Sequence, residues 1–228
     1  MTTRLFLIRH GSTGLSAEDR FAGATDVALS PEGRLQVEQL AERLAQTKLA
    51  AVYCSPLQRT IQTAEIIAEP HGLEPVIQDG LREINHGHWE ELRRIEVETR
   101  FAEEYTAWEA DPFTFAPQGG ESGLSVMARA LPVIREIVLK HKDENVLVVS
   151  HKATIRLIIG SLLGFDVRGY RDRLDQQPAC LNILDFKDAV HARLMLFNDV
   201  SHYADHPAQT HGHLSKWWDA PTEKTDDR

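Results

Sequence analysis

The chain has 228 residues, of which 42% are hydrophobic and 26% charged, as in an ordinary soluble domain with a substantial core. Its formal net charge of -9, without any stretch dense in lysine and arginine, argues against binding of nucleic acid. No apolar run approaches the ~20 residues that cross a bilayer, and the apolar run at 5–8 is too short for the hydrophobic region of a secretion signal, so we expect none. With two cysteines, Cys54 and Cys180, we expect a cytoplasmic protein without membrane contact.

Apolar runs and helical patterns alternate along the first part of the chain. The run 5–8 predicts a buried strand, and Ser30 with Pro31 is typical of the cap and first turn of a helix that extends to about Thr47. Three leucines are predicted to lie on the buried face of this helix: Leu35, Leu40 and Leu44. The run 49–53 predicts a second strand.

The rest of the chain continues the alternation. The remaining predicted elements are a helix from Arg59 to about Pro70, a strand at 75–77, a helix at 91–110, a loop at 111–120, a helix at 122–141, a strand at 145–149, a helix at 153–163 and an antiparallel pair of strands at 180–186 and 193–197. This order predicts an α/β fold whose sheet is mostly parallel with an antiparallel edge. We expect one domain over residues 1–205 and a polar tail at 206–228 that carries Trp217 and Trp218.

Two histidines follow two of the predicted strands. Arg9 and His10 come directly after the first strand, and His151 follows the strand at 145–149. Because a parallel sheet binds ligands beyond the carboxyl ends of its strands, the two histidines can meet at one site. This pairing suggests phosphoryl transfer through a histidine, although a single histidine in such a place is more often structural.

Two more residues supply groups that this reaction needs. Arg59 stands at the start of a predicted helix, whose N-terminal dipole also favours an anion, so it can join Arg9 around one phosphate. Glu83 is flanked by apolar residues, an environment that raises the pKa of a carboxyl group and lets it donate a proton near neutrality. The alternative is that the arginines form surface ion pairs and that Glu83 pairs with Arg82.

Short motifs in a fixed order carry a resemblance to a known family. They lie at 7–11, 26–33, 55–64, 81–83, 119–122 and 148–151. Through them the chain resembles the histidine phosphatase superfamily over residues 3–203, and within it the short bacterial phosphatases. The resemblance implies a phosphoglycerate-mutase-like fold, which is a three-layer α/β/α sandwich.

The resemblance also implies a mechanism. His10 would attack phosphorus and form a phosphohistidine that water hydrolyses, with Glu83 as the acid. Arg9, Arg59 and a protonated His151 would bind the phosphate and stabilise its charge, so that neither a metal nor a cofactor is expected. The further substrate-binding residues that it implies are Ser12, Thr13, Ser16, Gly23 and His86. Four histidines, His86, His88, His211 and His213, do not form a recognisable metal-binding pattern.

Several positions depart from the family pattern, among them Gly14 and Leu15, which stand where a larger side chain and Trp are common. Ser12 and Ser16 stand where Glu or Gln and Asn are common, so we expect the pocket to lose one amide contact, which the Ser16 hydroxyl or a water replaces. Glu91 stands where the family has a glycine, which makes the backbone there less permissive.

The expected substrate is a small phosphomonoester: a sugar phosphate, a phosphoglycerate-like or a phosphoserine-like compound. The loop at 111–120, with Phe113 and Phe115, is predicted to select it. A cofactor-dependent phosphoglycerate mutase and a non-catalytic binding protein of the same fold remain as alternatives. The short stretch between Glu83 and His151 favours hydrolysis because it admits water. Apolar residues on an edge strand near Ile183 or Leu194 would allow a homodimer.

Overall fold

A computed structural model describes residues 2–14 and 20–208 of the chain. Ser16, residues 209–228 of the expected tail, and with them Trp217 and Trp218, lie outside the described residues. Within the described residues, none of the helices is long and apolar enough to cross a membrane.

A single sheet runs through the described part of the chain. Its strands are β1 (Thr3–Arg9), β2 (Ala51–Cys54), β3 (Val76–Ile77), β4 (Asn145–Ser150), β5 (Leu181–Phe186) and β6 (Ala192–Asp199). They lie in the order β3-β2-β4-β1-β5-β6. The pairs β3-β2, β2-β4 and β4-β1 are parallel, whereas β5 is antiparallel to β1 and to β6. The predicted parallel sheet with an antiparallel edge is confirmed.

The helices connect these strands. They are α1 (Pro31–Leu44), α2 (Gln58–Ala68), α3 (Arg94–Arg100), α4 (Ala102–Ala110), α5 (Gly123–Lys140), α6 (Lys152–Leu163) and α7 (Tyr170–Arg173), with short 3-10 turns at Glu69–His71, Asp79–Leu81, Gly87–Trp89 and Val167–Gly169. Ser30 caps α1 as predicted, because its hydroxyl accepts a hydrogen bond from the Gly33 N–H at 3.0 Å.

Both faces of the sheet are covered. Successive side chains of a strand point to opposite faces, so Ile8 packs with Val37 of α1 on one side while Leu7 packs with Ile134 of α5 and Ile158 of α6 on the other. The two resulting cores confirm the three-layer sandwich. They also leave the carboxyl ends of β1, β2 and β4 together at one edge, where β1 and β4 pair in parallel up to Arg9 and Ser150.

A third, aromatic cluster packs α3 and α4 onto the loops that precede them. Its buried members are Phe21, Trp89, Val97, Tyr105 and Trp108. The ring of Phe115 stacks on Trp89 with centroids 6.1 Å apart, and Phe113 packs beside Ile84 and Leu157. Both phenylalanines of the loop therefore have packing roles, and their selection of substrate stays a prediction.

The predicted single helix over 91–110 is wrong. Glu91 has a φ of 67°, which no helix can include, so α3 begins only at Arg94. Phe101 then interrupts the helix with φ -132° and ψ 44°. At this break the ring of Phe101 stacks on the ring of His88, with centroids 4.4 Å apart.

Two expectations about exposure also need correction. Leu35 is 56% exposed and does not belong to the buried face of α1. Because it lies five residues before Leu40, the two side chains point about 140° apart on a helix. Ile183 is not on an edge strand, since β5 pairs with both β1 and β6. The free edge on that side of the sheet is β6, which carries Leu194.

Candidate active site

The parallel pairing of β1 and β4 brings the two histidines together. His10 follows β1 and His151 follows β4, and their ring centroids lie 5.2 Å apart. Both side chains are buried. His10 and His151 therefore lie side by side at the carboxyl ends of the strands, as the sequence predicts.

The protonation state of His10 follows from its neighbours. Its Nδ1 lies 2.7 Å from the Gly11 carbonyl oxygen, which can only accept, so Nδ1 carries the hydrogen. Burial, followed by the charges of Arg59 and Arg9, lowers the pKa of His10 well below its ordinary value, against the opposing Gly11 carbonyl. The ring is therefore neutral, and its Nε2 has a free electron pair.

His151 is also neutral, which corrects the expectation that it is protonated. Burial and the charge of Arg59 lower its pKa well below the ordinary value. Arg59 Nε donates to Nδ1 of His151 at 3.3 Å, and a guanidinium has no acceptor. Nε2 therefore carries the hydrogen and donates it to Ser55 Oγ at 2.7 Å. Sequence reasoning missed Ser55, although it directly follows β2 at the same edge of the sheet.

Arg59 is held by the loop at 23–25. Its Nη1 donates to the Thr25 carbonyl at 2.7 Å and its Nη2 to the Gly23 carbonyl at 2.8 Å. Gly23 lies so close to the backbone of Ile84 that a Cβ at this position would stand 1.7 Å from the Ile84 carbonyl oxygen. Only glycine fits at this position, so its place in the site is that of a backbone support for Arg59.

Glu90 organises the same loop, and sequence reasoning missed it. Its carboxylate accepts hydrogen bonds from the N–H groups of Gly23, Ala24 and His86 at 2.8–3.0 Å. It also accepts from the Thr25 hydroxyl at 3.0 Å. The available signal was weak, because Glu90 is only one of two adjacent acidic residues that follow Trp89.

Arg9 lies beside this arrangement. It is buried, and its Nη1 donates to the Gln176 carbonyl at 2.6 Å. Its Nε has no hydrogen-bond partner within the described ranges 2–14 and 20–208. Burial lowers the pKa of Arg59, Glu83 opposes that change, and the charge of Arg9 adds to it. The charges of Arg9 and Arg59 therefore act on one another, as the prediction that the two side chains share one anion requires.

Glu83 occupies polar surroundings rather than the apolar ones expected. Its carboxylate accepts from the N–H groups of Ala153 and Thr154 at 3.0 and 3.1 Å, and from the Thr154 hydroxyl at 3.0 Å. These donors are in the first turn of α6, directly after His151. The alternative of a pair with Arg82 is wrong, since Arg82 Nε contacts Asp79 at 3.2 Å.

The remaining predicted residues lie around this centre. Ser12 is held by its backbone, which donates to Gln36 Oε1 at 3.1 Å and accepts from the Ser30 N–H at 2.9 Å. Thr13 is buried on the same loop after β1. The buried ring of His86 meets Phe21 edge to face, with centroids 5.0 Å apart. Burial lowers the pKa of His86, and Glu90 opposes this change.

The arrangement has the components of phosphoryl transfer. A neutral imidazole with a free electron pair lies near two arginine side chains, and a carboxylate is bound to the first turn of the helix that follows His151. Such fixed charges stabilise negative charge on phosphoryl oxygens without reorganisation. Within the part of the chain that the structure describes, groups of three or more metal-binding side chains are absent.

Several known proteins are similar to this chain in sequence and in fold. The family model for the histidine phosphatase superfamily (branch 1) matches residues 5–200. Phosphoserine phosphatase 1 of Hydrogenobacter thermophilus is 36% identical over 164 residues, which cover 72% of this chain and 78% of that protein. Glucosyl-3-phosphoglycerate phosphatase of Mycolicibacterium vanbaalenii is 33% identical over 171 residues, which cover 72% of this chain and 76% of that protein.

A solved structure is similar to this chain in fold. The native structure of mycobacterial glucosyl-3-phosphoglycerate phosphatase superposes with a TM-score of 0.79 at 29% identity, covering 87% of this chain and 99% of that one. Because the family model spans most of the chain and the sandwich is shared along almost the whole of the solved structure, the chain belongs to the histidine phosphatase superfamily.

Proposed function

We propose that this protein is a phosphatase that hydrolyses small phosphomonoesters through a phosphohistidine on His10. The observation that carries the proposal is the state of the His10 ring. Its Nδ1–H is fixed on the Gly11 carbonyl, so the Nε2 electron pair is free beside Arg9 and Arg59. A histidine attacks phosphorus only from an unprotonated nitrogen.

The reaction proceeds in two balanced steps. In the first, His10 Nε2 forms a bond to phosphorus while the ester P–O bond breaks, and protonated Glu83 gives its proton to the leaving alkoxide. In the second, water attacks phosphorus, the N–P bond breaks, and the Glu83 carboxylate takes the proton of the water. Arg9 and Arg59 bind the phosphoryl oxygens in both steps.

His151 acts as a neutral hydrogen-bonding group in this scheme. Its Nδ1 accepts a hydrogen bond from Arg59 and its Nε2 donates one to Ser55. It therefore fixes the Arg59 guanidinium next to His10 rather than adding a charge of its own. Thr13, Ser12 and His86, together with Ser16, complete the proposed substrate-binding set.

The substrate class is supported by the relatives. Two of them, at 36% and 33% identity, are named as phosphatases of phosphoserine and of glucosyl-3-phosphoglycerate. Both names denote small organic phosphomonoesters. We propose a substrate of this class for the present chain.

The deciding experiment is phosphate release from a panel of phosphorylated metabolites, with and without EDTA. We expect turnover of small phosphomonoesters that persists in EDTA, because the cations of the site belong to side chains. The inactive control is His10→Asn. A requirement for Mg²⁺, or isomerisation of 3-phosphoglycerate faster than phosphate release in the presence of a trace of bisphosphoglycerate, would contradict the proposal.

The surroundings of the enzyme belong to the same proposal. Both cysteines are buried and free, which suits a reducing compartment, and we place the protein in the cytoplasm. A homodimer would form along β6, whose Met195 is 49% exposed. Sedimentation equilibrium distinguishes a dimer of this kind from a monomer.

A further inference from the structure

A group of charged side chains lies at the start of α6, beside the proposed phosphate site. Lys152 Nζ lies 3.2 Å from Asp175 Oδ1, and Arg156 Nη2 lies 3.3 Å from the same oxygen. Arg156 is buried, at 6% exposure. Its Nε has no hydrogen-bond partner among the residues that the structure describes. A buried guanidinium with an unused donor is costly unless an anion completes it.

This group adjoins the phosphate-binding arginines through one short loop. Arg9 donates to the carbonyl of Gln176, and the neighbouring residue Asp175 holds Lys152 and Arg156. Lys152 also directly follows His151 in the chain. The charged ends of Arg9 and Lys152 therefore contact consecutive residues of the same loop, Gln176 and Asp175.

The charges of the group do not balance. Two cations, Lys152 and Arg156, share one carboxylate, Asp175, so one positive charge remains. The pKa of Lys152 is lowered to about 7, mainly by burial and then by the charges of Arg156 and Arg9, while Asp175 opposes this change. Burial likewise lowers the pKa of Arg156 to about 10. An anion bound here would stabilise the charged form of both side chains.

We propose that Lys152, supported by Arg156, forms a second anion subsite that binds a carboxylate of the substrate next to its phosphate. The inference rests on the proposed phosphatase function and narrows its substrate to phosphorylated hydroxy or amino acids. A carboxylate matches the single unbalanced positive charge, whereas a second phosphate dianion would leave a negative charge in a partly buried place. Lys152 is partly exposed, so its ammonium group is accessible to a small anion.

The experiment compares pairs of substrates in which one member carries a carboxylate and the other has a hydrogen or a hydroxymethyl group in its place. The pairs are phosphoserine with phosphoethanolamine, and 3-phosphoglycerate with glycerol 3-phosphate. We expect kcat/KM of the wild-type enzyme to be about tenfold or more higher for the member of each pair that carries the carboxylate. A ratio of this size corresponds to the free energy of one charge-assisted hydrogen bond. Lys152→Met keeps the apolar stem and removes the charge. This substitution should abolish most of the preference and leave kcat/KM for phosphoethanolamine within about twofold of the wild-type value.

A matched control is Lys48→Met, which removes an exposed lysine between α1 and β2 and should change neither member of a pair. Equal losses on both members in Lys152→Met would overturn the subsite, as would a wild-type enzyme without preference. A stronger preference for fructose 1,6-bisphosphate over fructose 6-phosphate would overturn the assignment to a carboxylate. Failure to hydrolyse any of these esters would instead refute the phosphatase function on which the inference rests.

Discussion

Glu90 and Gly23 are joined by a hydrogen bond from the Gly23 N–H to Glu90 Oε2 at 3.0 Å. The carbonyl of the same glycine accepts from Arg59 Nη2 at 2.8 Å. One peptide segment therefore connects a carboxylate to the arginine that faces His10 and His151. Glu90 is a positioning residue, because it acts on the site through Arg59.

The first prediction is that Glu90→Gln lowers kcat/KM by about 10- to 100-fold, mainly through a higher KM. The amide keeps the size of the side chain but weakens bonds to several N–H groups, each worth about 1.5–3 kcal/mol when the acceptor is charged. Steady-state kinetics on one phosphomonoester measures the split between KM and kcat. The matched control is Glu91→Gln, at an exposed neighbour. Equal effects of the two substitutions would contradict the role of Glu90.

The second prediction concerns the covalent intermediate. His10→Ala should lower turnover by about 1,000-fold or more, because the nucleophile is lost. Rapid quench of the wild type with a labelled phosphomonoester should trap an acid-labile, base-stable phosphoryl group on the peptide that contains His10. His191→Ala, at a side chain that is 76% exposed, serves as the control. Wild-type turnover in His10→Ala would exclude the proposed nucleophile.

The third prediction is that His10 and His151 take up a proton only at a lower pH than an ordinary histidine. Burial and the neighbouring arginines lower both pKa values well below the ordinary value, so each ring is more often neutral at pH 5 than a histidine in water. A histidine with a pKa of about 6.5 would be only about 3% neutral at that pH. Nitrogen-15 NMR of histidine-labelled protein, assigned with His10→Asn and His151→Asn, reports the protonation of each ring.

The same shifts determine how stability depends on pH. The unfolded chain takes up protons at these histidines as the pH falls through about 6.5, whereas the folded chain does not. More protons bound in the unfolded state mean that stability is present above this pH and is lost below it. Urea unfolding of wild type and of His151→Asn at pH 7 and pH 5 measures this contribution. A smaller loss in the wild type than in the variant would contradict it.

The fourth prediction separates the acid role of Glu83 from a structural one. Glu83→Gln should lower kcat/KM for alkyl phosphates by about 100-fold or more, because their alkoxides need a proton to leave. Hydrolysis of p-nitrophenyl phosphate should fall far less, since p-nitrophenolate leaves without one. Asp79→Asn, at an exposed carboxylate on the preceding turn, is the control. Equal losses on both esters would show that Glu83 only holds the first turn of α6.

The fifth prediction concerns backbone strain at Glu91. Its φ of 67° lies in the left-handed region, which costs a residue with a Cβ about 1–2 kcal/mol. Glu91→Gly should stabilise the fold by about 0.5–1 kcal/mol, after the larger entropy of glycine in the unfolded chain is counted. Glu103→Gly, in the first turn of α4, should destabilise it. Equal destabilisation by both substitutions, in urea unfolding, would mean that no strain is relieved.

Local sequence determined much of the fold and which residues follow the strands β1 and β4. Apolar runs predicted β1 and β4, and Ser30 with Pro31 predicted the start of α1. These signals depend on neighbours in the chain, so a single sequence contains them. The placement of His10 and His151 at strand ends follows in the same way, because parallel strands present their carboxyl ends at one edge.

Tertiary structure alone decided the electrostatics of the site. The neutrality of His151 depends on Arg59, 92 residues away in sequence, and the support of Arg59 depends on Glu90, which reaches Gly23 across 67 residues. The surroundings of Glu83 likewise come from α6 rather than from its own neighbours. Hydrogen bonds and desolvation act through space, so residue types along the chain predict which groups are present, and folding determines which charge each of them carries.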